Sequence, residues 1–135
     1  MIACAEAFAA KLKEEDIKFA PQELPNGRVC ISVPFNGLLT NVFFDPDDDG
    51  ARPAFRTVLE HCPDERLADV LLVCNAMNNE YRWLKFCIDD DNDIMLEDDA
   101  IVTPETAGDE CVELIYRTAS IIKEIKPTFM RAIYG

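Results

Sequence analysis

A chain of 135 residues is about one domain long, and at that size it buries about two-thirds of its unfolded surface without a disulfide or metal to staple it. Apolar content of 49% and charged content of 29% are those of a soluble globular protein. Thirteen Lys and Arg against 26 Asp and Glu give a net charge of −13, which excludes nucleic acid and anionic lipid as partners, because phosphate binding needs clustered cations.

The imbalance is also local. Between Lys85 and Arg117 there are 11 acidic residues and no basic one, a face that serves solubility or attracts basic partners. One domain over residues 1–135 is expected. Six cysteines, at 4, 30, 62, 74, 87 and 111, are too sparse for a disulfide scaffold and fit no zinc spacing, so reduced thiols in a cytoplasmic setting are expected. The N-terminus lacks a basic flank and Glu6 interrupts its apolar run, which argues against a signal peptide. The hydrophobic runs are too short to span a membrane.

In chain order, Ile2, Ala5, Phe8, Ala9 and Leu12 recur at helical spacing and predict a helix to about residue 15. Ile17-Lys18-Phe19 reads as a weak strand stopped by Pro21. Val29, Ile31 and Val33 alternate with Arg28, Cys30 and Ser32 as a strand, and Asn36-Gly37 is a hairpin turn leading back through Leu38–Phe44. Arg52–Glu60 predicts a further strand. Pro63-Asp64-Glu65 opens a helix with the stripe Leu67, Val70, Leu71, Cys74 and Met77, and Cys62 is placed to cap it. Tyr81–Ile88 and Ile94–Val102 read as paired strands around an acidic turn. Thr103 and Pro104 start a long final helix, buried along Cys111, Ile115, Thr118, Ile122, Ile125, Phe129 and Ile133 and kinked at Pro127. The order α-β-β-β-(β)-α-β-β-α predicts an α+β fold around an antiparallel sheet.

Two acidic clusters raise the question of calcium. Asp45, Asp47, Asp49 and Gly50 match the first half of a D-x-D-x-D-G loop, but its twelfth position is Arg56 where a bidentate carboxylate is needed, and the flanks read as strands. Asp89, Asp91 and Asp93 are followed by Ile94 where the turn glycine should stand. Both read as solvated turns, with an incidental cation site as the alternative.

Catalytic constellations are missing. His61 is the sole histidine, and its neighbour Cys62 is too close in sequence to face it as a nucleophile–base pair. Neither Ser32 nor Ser120 lies in a nucleophile elbow, and no phosphate loop or HExxH motif occurs. No cofactor is implied. More informative are strands apolar on both sides: Tyr81, Trp83 and Cys87 oppose Leu84, Phe86 and Ile88, and Leu39 and Phe43 oppose Leu38, Val42 and Phe44. Both sheet faces are therefore expected to be covered, by the chain's own helices or by a partner. Trp83, Tyr81 and Phe43 are the candidate partner-binding residues.

The tail IIKEIKPTFMRAIYG, closing on Ile133-Tyr134-Gly135, resembles the C-terminus of the YbjN family. The layout agrees along nearly the whole chain, with a turn like Asn36-Gly37 and a Pro-Asp-Glu helix start. The resemblance implies a bacterial protein described as a regulator of sensory transduction. It also implies a fold similar to type III secretion chaperones, small acidic α+β dimers that hold polypeptide segments, and no catalytic residues. The expectation is a non-enzymatic, homodimeric protein-binding module, chaperone-like or regulatory, with a polypeptide client. A small-molecule or cation sensor is the alternative, and an enzyme using Cys62 or a carboxylate comes third.

Overall fold

A computed structural model describes residues Ile2–Gly135. The elements run α1 (Ala3–Glu14), β1 (Ala20–Glu23), β2 (Val29–Phe35), β3 (Leu38–Phe44), β4 (Ala54–His61), α2 (Leu67–Glu80), β5 (Lys85–Ile88), β6 (Asp93–Asp99) and α3 (Ala107–Tyr134). The strands form one antiparallel sheet in the order β1-β2-β3-β4-β6-β5. The α+β class, the element order and the antiparallel sheet are as the sequence leads one to expect.

The β2–β3 hairpin follows from its turn. Asn36 and Gly37 take φ of 52° and 80°, which matches the twist of the strands they join. The resulting register pairs Val29 with Phe44, Ile31 with Val42, Val33 with Thr40 and Phe35 with Leu38, so all eight side chains share one face. Thr40 stands opposite Thr57, and their hydroxyls are 2.7 Å apart. Between Val58 and Glu60 the β4–β6 ladder shifts register, a bulge that leaves Leu59 buried.

Two apolar cores lie on that same face. One joins α1 (Cys4, Phe8, Leu12) to β2, β3 and the start of α3, with the Phe8 and Phe44 rings 6.0 Å apart. The other joins α2 (Val70, Cys74) to β5, β6 and the end of α3, where Phe86 stacks on Phe129 at 6.0 Å. Helix α3 spans both, giving Cys111 and Ile115 to the first and Ile122, Ile125, Phe129 and Ile133 to the second. Thr118 sits between them, buried, and its hydroxyl has no hydrogen-bond partner among the described residues. Gly108 lets α3 approach α1, because a Cβ there would stand 3.1 Å from Lys11 Cβ and 3.2 Å from the Ala7 carbonyl.

Several local expectations are corrected. The first strand is Ala20–Glu23, not 17–19: Ile17 and Phe19 pack against the first core from the connection, while Pro21 is tolerated because β1 is an edge strand. A short 3-10 turn at Asp64–Arg66 precedes α2. Cys62 does not cap it, since its buried thiol faces the Pro63 carbonyl at 3.4 Å and not an amide N–H. Leu71 is off the buried stripe of α2 and about half exposed. Helix α3 begins at Ala107, three residues beyond Pro104, after a turn tied by Thr103 and Thr106, and it continues through Pro127 to Tyr134. The last strand ends at Asp99.

Of the two covers expected for the sheet, the chain's own helices supply one face only. All three helices lie over one face, and the other is not covered by them: Leu39 and Val58 are 48% and 43% exposed there, with Phe43, Met95 and Cys87 half-buried. The same face carries Arg56 between Glu97 (3.7 Å) and Asp99 (3.1 Å), and Lys85 against Glu97 (3.0 Å).

Candidate functional site

The expected strand 81–88 begins only at Lys85, and the four residues before it are a bend. Its two ends are pinned. Tyr81 N–H closes on the Met77 carbonyl at 2.9 Å, its hydroxyl donates to Glu124 at 2.7 Å, and its ring lies 6.0 Å from that of Phe86. That hydrogen bond holds the phenol proton and pushes the Tyr81 pKa up to about 12. At the other end Leu84 is buried in the second core. Between these anchors the chain turns over Trp83, whose φ is 64°. For a bulky L-residue the left-handed region costs about 1–2 kcal/mol, which a glycine would avoid. In that conformation the chain's one tryptophan is 63% exposed.

Trp83 lines a cleft of about 480 Å³ with Ile101, Leu114, Arg117, Glu110 and Glu113, and with Asp99 and Ala100. The Arg117 guanidinium lies 5.1 Å from the centre of the Trp83 ring and 3.6 Å from the Glu113 carboxylate. Ile101, in the β6–α3 connection, is 86% exposed. An exposed Trp and an exposed Ile in one cleft are apolar surface that a partner could remove from water at about 25 cal/mol per Å².

Beside the cleft, Asp98 stands on the helix-covered face, opposite Phe55 and 5% exposed. Burial raises its pKa to about 7; its bond from the Asp99 N–H and the charges of Arg117 and Arg56 oppose the shift, while the Asp99 charge adds to it.

The three candidate binding residues are not brought together. Trp83 lines the cleft, Tyr81 is engaged with Glu124 and the second core, and Phe43 lies on the uncovered sheet face with Arg28 5.5 Å from its ring centre. Ile101, Leu114 and Arg117 are not legible as cleft residues in the sequence, because the β6–α3 connection that presents Ile101 has no periodicity and Leu114 and Arg117 lie off the buried stripe of α3. Both sheet edges are blunted: Pro21 removes a donor from β1, and the Asn78 side chain takes both the N–H (2.8 Å) and the C=O (2.9 Å) of Phe86 on β5. A third apolar surface is on α2, where Leu72 is 71% exposed beside Leu71.

The acidic loops have structural explanations. Gly50 closes the first in the left-handed region, and a Cβ on it would stand 2.6 Å from Ile2 of the α1 entry. Asp45 accepts from Arg28 at 2.7 Å, and Asp48 pairs with Arg52 at 3.2 Å. Asp89, Asp91 and Asp93 do gather carboxylate oxygens within 4.8 Å, but Asp89 Oδ1 already accepts the N–H groups of Asp91 and Asp93, both at 2.9 Å. His61 is turned to Asp93 at 3.0 Å, away from any role as base for Cys62. The Cys62 thiol pKa is raised by burial, and then by Asp64 and Glu65, the opposite of an activated thiolate.

The sequence model of YbjN, described as "Putative bacterial sensory transduction regulator", matches residues 5–131. The chain belongs to the YbjN family. Among curated proteins none matches this YbjN chain. Its fold is similar to that of the Yersinia pestis type III secretion chaperone SycH, solved in complex with a stable fragment of YscM2, with a TM-score of 0.51 at 9% identity over 87% of this chain and 98% of that one. At that identity the likeness shows the fold. Among the described residues of this YbjN protein, no helix is long and apolar enough to cross a membrane.

Proposed function

We propose that this YbjN protein is a non-enzymatic, polypeptide-binding module, chaperone-like or regulatory, that works as a homodimer. The observation that carries the reading is Trp83, a tryptophan held in a strained conformation with most of its surface in water, lining one cleft with the still more exposed Ile101. Buried Trp anchors many protein interfaces, and a cleft that already gathers apolar groups is where such an anchor acts. The neighbour SycH is a chaperone solved with a protein fragment, which supports a polypeptide as the occupant.

Self-association is supported by a different surface. The outer side of α2 presents Leu71 and Leu72 with Ala68, Asn75, Ala76 and Asn79, a stripe of uncharged residues bordered by Asp69, which pairs with Arg66 at 3.9 Å, on a chain of −13. Two copies that repel one another over most of their surface can approach along an uncharged stripe at least electrostatic cost. Phe43 and the open sheet face remain available for further contacts.

The test is affinity capture from native lysate with wild type and Trp83→Gly, beside light scattering of both proteins and of Leu72→Glu. Polypeptides retained by wild type and lost by Trp83→Gly, with a dimer broken only by Leu72→Glu, are the expected result. Equal capture by both proteins would move the client elsewhere. A strict monomer would remove the dimer.

A further inference from the structure

Resting on the reading of the Trp83 cleft as a polypeptide site, we infer that its occupant is a basic segment: an apolar side chain seated between Trp83 and Ile101, flanked by Lys or Arg. The charges of the cleft argue for this. Asp99, Glu110 and Glu113 line it against one cation, Arg117. Arg117 is already committed, with Glu113 at 3.6 Å and the Trp83 ring at 5.1 Å, and Asp99 is met from outside the cleft by Arg56 at 3.1 Å. Glu110, in the first turn of α3, is without a salt-bridge partner among the described residues. Most of the cleft lining also falls in the stretch from Phe86 to Tyr116 that holds 11 acids and no base, with Trp83 and Arg117 just outside it. An acidic segment would be repelled by Asp99 and Glu110, and an uncharged one would leave Glu110 no gain on binding.

The apolar part of the site fixes where the anchor goes, and the carboxylates fix what stands beside it. Trp83 and Ile101 rise from two connections, α2–β5 and β6–α3, while both glutamates project from the first two turns of α3. Leu114 beside the glutamates on α3 and Asp99 close to Ile101 put apolar groups and carboxylates next to one another, which suits a segment carrying its basic side chains directly beside the apolar anchor. Addition of the segment as a strand on β5 is disfavoured, because Asn78 already holds the Phe86 N–H and C=O. Recognition through side chains is what remains.

The experiment is selection from a display library of short random peptides on immobilised full-length protein, with Trp83→Gly as the counter-selection. Enriched peptides are then titrated against wild type and against the Glu110→Gln/Glu113→Gln double variant, following the emission of Trp83. Trp83-dependent peptides rich in Lys or Arg beside one large apolar residue are the expected result. Their affinity should fall about fivefold in the double variant at low salt and less at high salt, as exposed charge pairs are screened. Trp83-dependent peptides that are acidic or uncharged would overturn the charge assignment while leaving the polypeptide site standing. No Trp83-dependent enrichment would overturn both. Concentration-dependent change of Trp83 emission in the protein alone would make a second copy the occupant and also overturn the inference.

Discussion

Arg117 and Trp83 hold each other in place: the guanidinium covers the ring at 5.1 Å, and the ring gives that cation a surface on a side of the molecule crowded with carboxylates. The pair connects the bend before β5 to the middle of α3, and it sets the shape of the cleft. An exposed contact of this type is worth about 0.5–1 kcal/mol.

Replacing Trp83 with glycine removes that contact and what burial the ring has, but it also removes the cost of a left-handed backbone at a bulky residue. The two effects are of similar size. Trp83→Gly should therefore unfold in urea within about 1 kcal/mol of wild type, while losing its partner. A loss of several kcal/mol would mean that the ring is a structural element and not a binding one.

Asp98 gives the stability a definite pH dependence. Its pKa is about 7 when folded and near 3.9 when unfolded, so between those values the folded state holds the extra proton. Stability from this group is full below pH 4 and falls as pH rises toward 7, by on the order of 4 kcal/mol for a shift of about three units. Asp98→Asn keeps an acceptor for the Asp99 N–H and carries no proton to lose. The variant should exceed wild type in stability at pH 8 and lose that advantage at pH 4, measured by urea unfolding at both. An identical pH profile for the two proteins would contradict the assignment.

Thr118 is the weak point between the two cores of α3, with a buried hydroxyl and no partner for it among the described residues. Thr118→Val keeps the shape and removes the unsatisfied group, so it should stabilise by about 1 kcal/mol. A loss of stability would reveal a hydrogen bond that the hydroxyl makes in solution.

Gly50 explains the D-x-D-x-D-G pattern without calcium. Gly50→Ala places a methyl against Ile2 in a backbone region that alanine avoids, and a cost of about 2 kcal/mol or more is expected from strain and displacement together. Millimolar calcium should leave the melting temperature of wild type unchanged. An occupied site at a hundred times its Kd would add about 2.7 kcal/mol and raise the melting temperature markedly.

What could be read in the residues, and what could not, divides along physical lines. The alternation at Val29, Ile31 and Val33 and the Asn36-Gly37 turn are local signals, and the structure follows them. The same holds for α3, where the whole helical stripe from Cys111 to Ile133 is buried, joined by Ala107 and Val112. Position failed where two states use similar residues. Ile17 and Phe19 pack inward from a connection as strand residues would, and the apolar run from Tyr81 to Ile88 conceals a bend that only the left-handed Trp83 reveals. Strands apolar on both sides point to cover by the chain's own helices or by a partner without saying which; all three helices share one face, because burial by tertiary neighbours has no signature in a single strand. The cleft itself joins α3 to two connections distant in sequence, and no local pattern marks such a meeting.

The most direct measurement is quenching of Trp83 emission by acrylamide, an uncharged quencher, without and with a polypeptide that wild type captures and Trp83→Gly does not. As the chain has one tryptophan, the signal reports the cleft alone. Strong quenching in the free protein, reduced several-fold when the polypeptide is bound, is the expected result. Unchanged quenching with the polypeptide still bound would place the client on another surface and contradict the role given to the cleft.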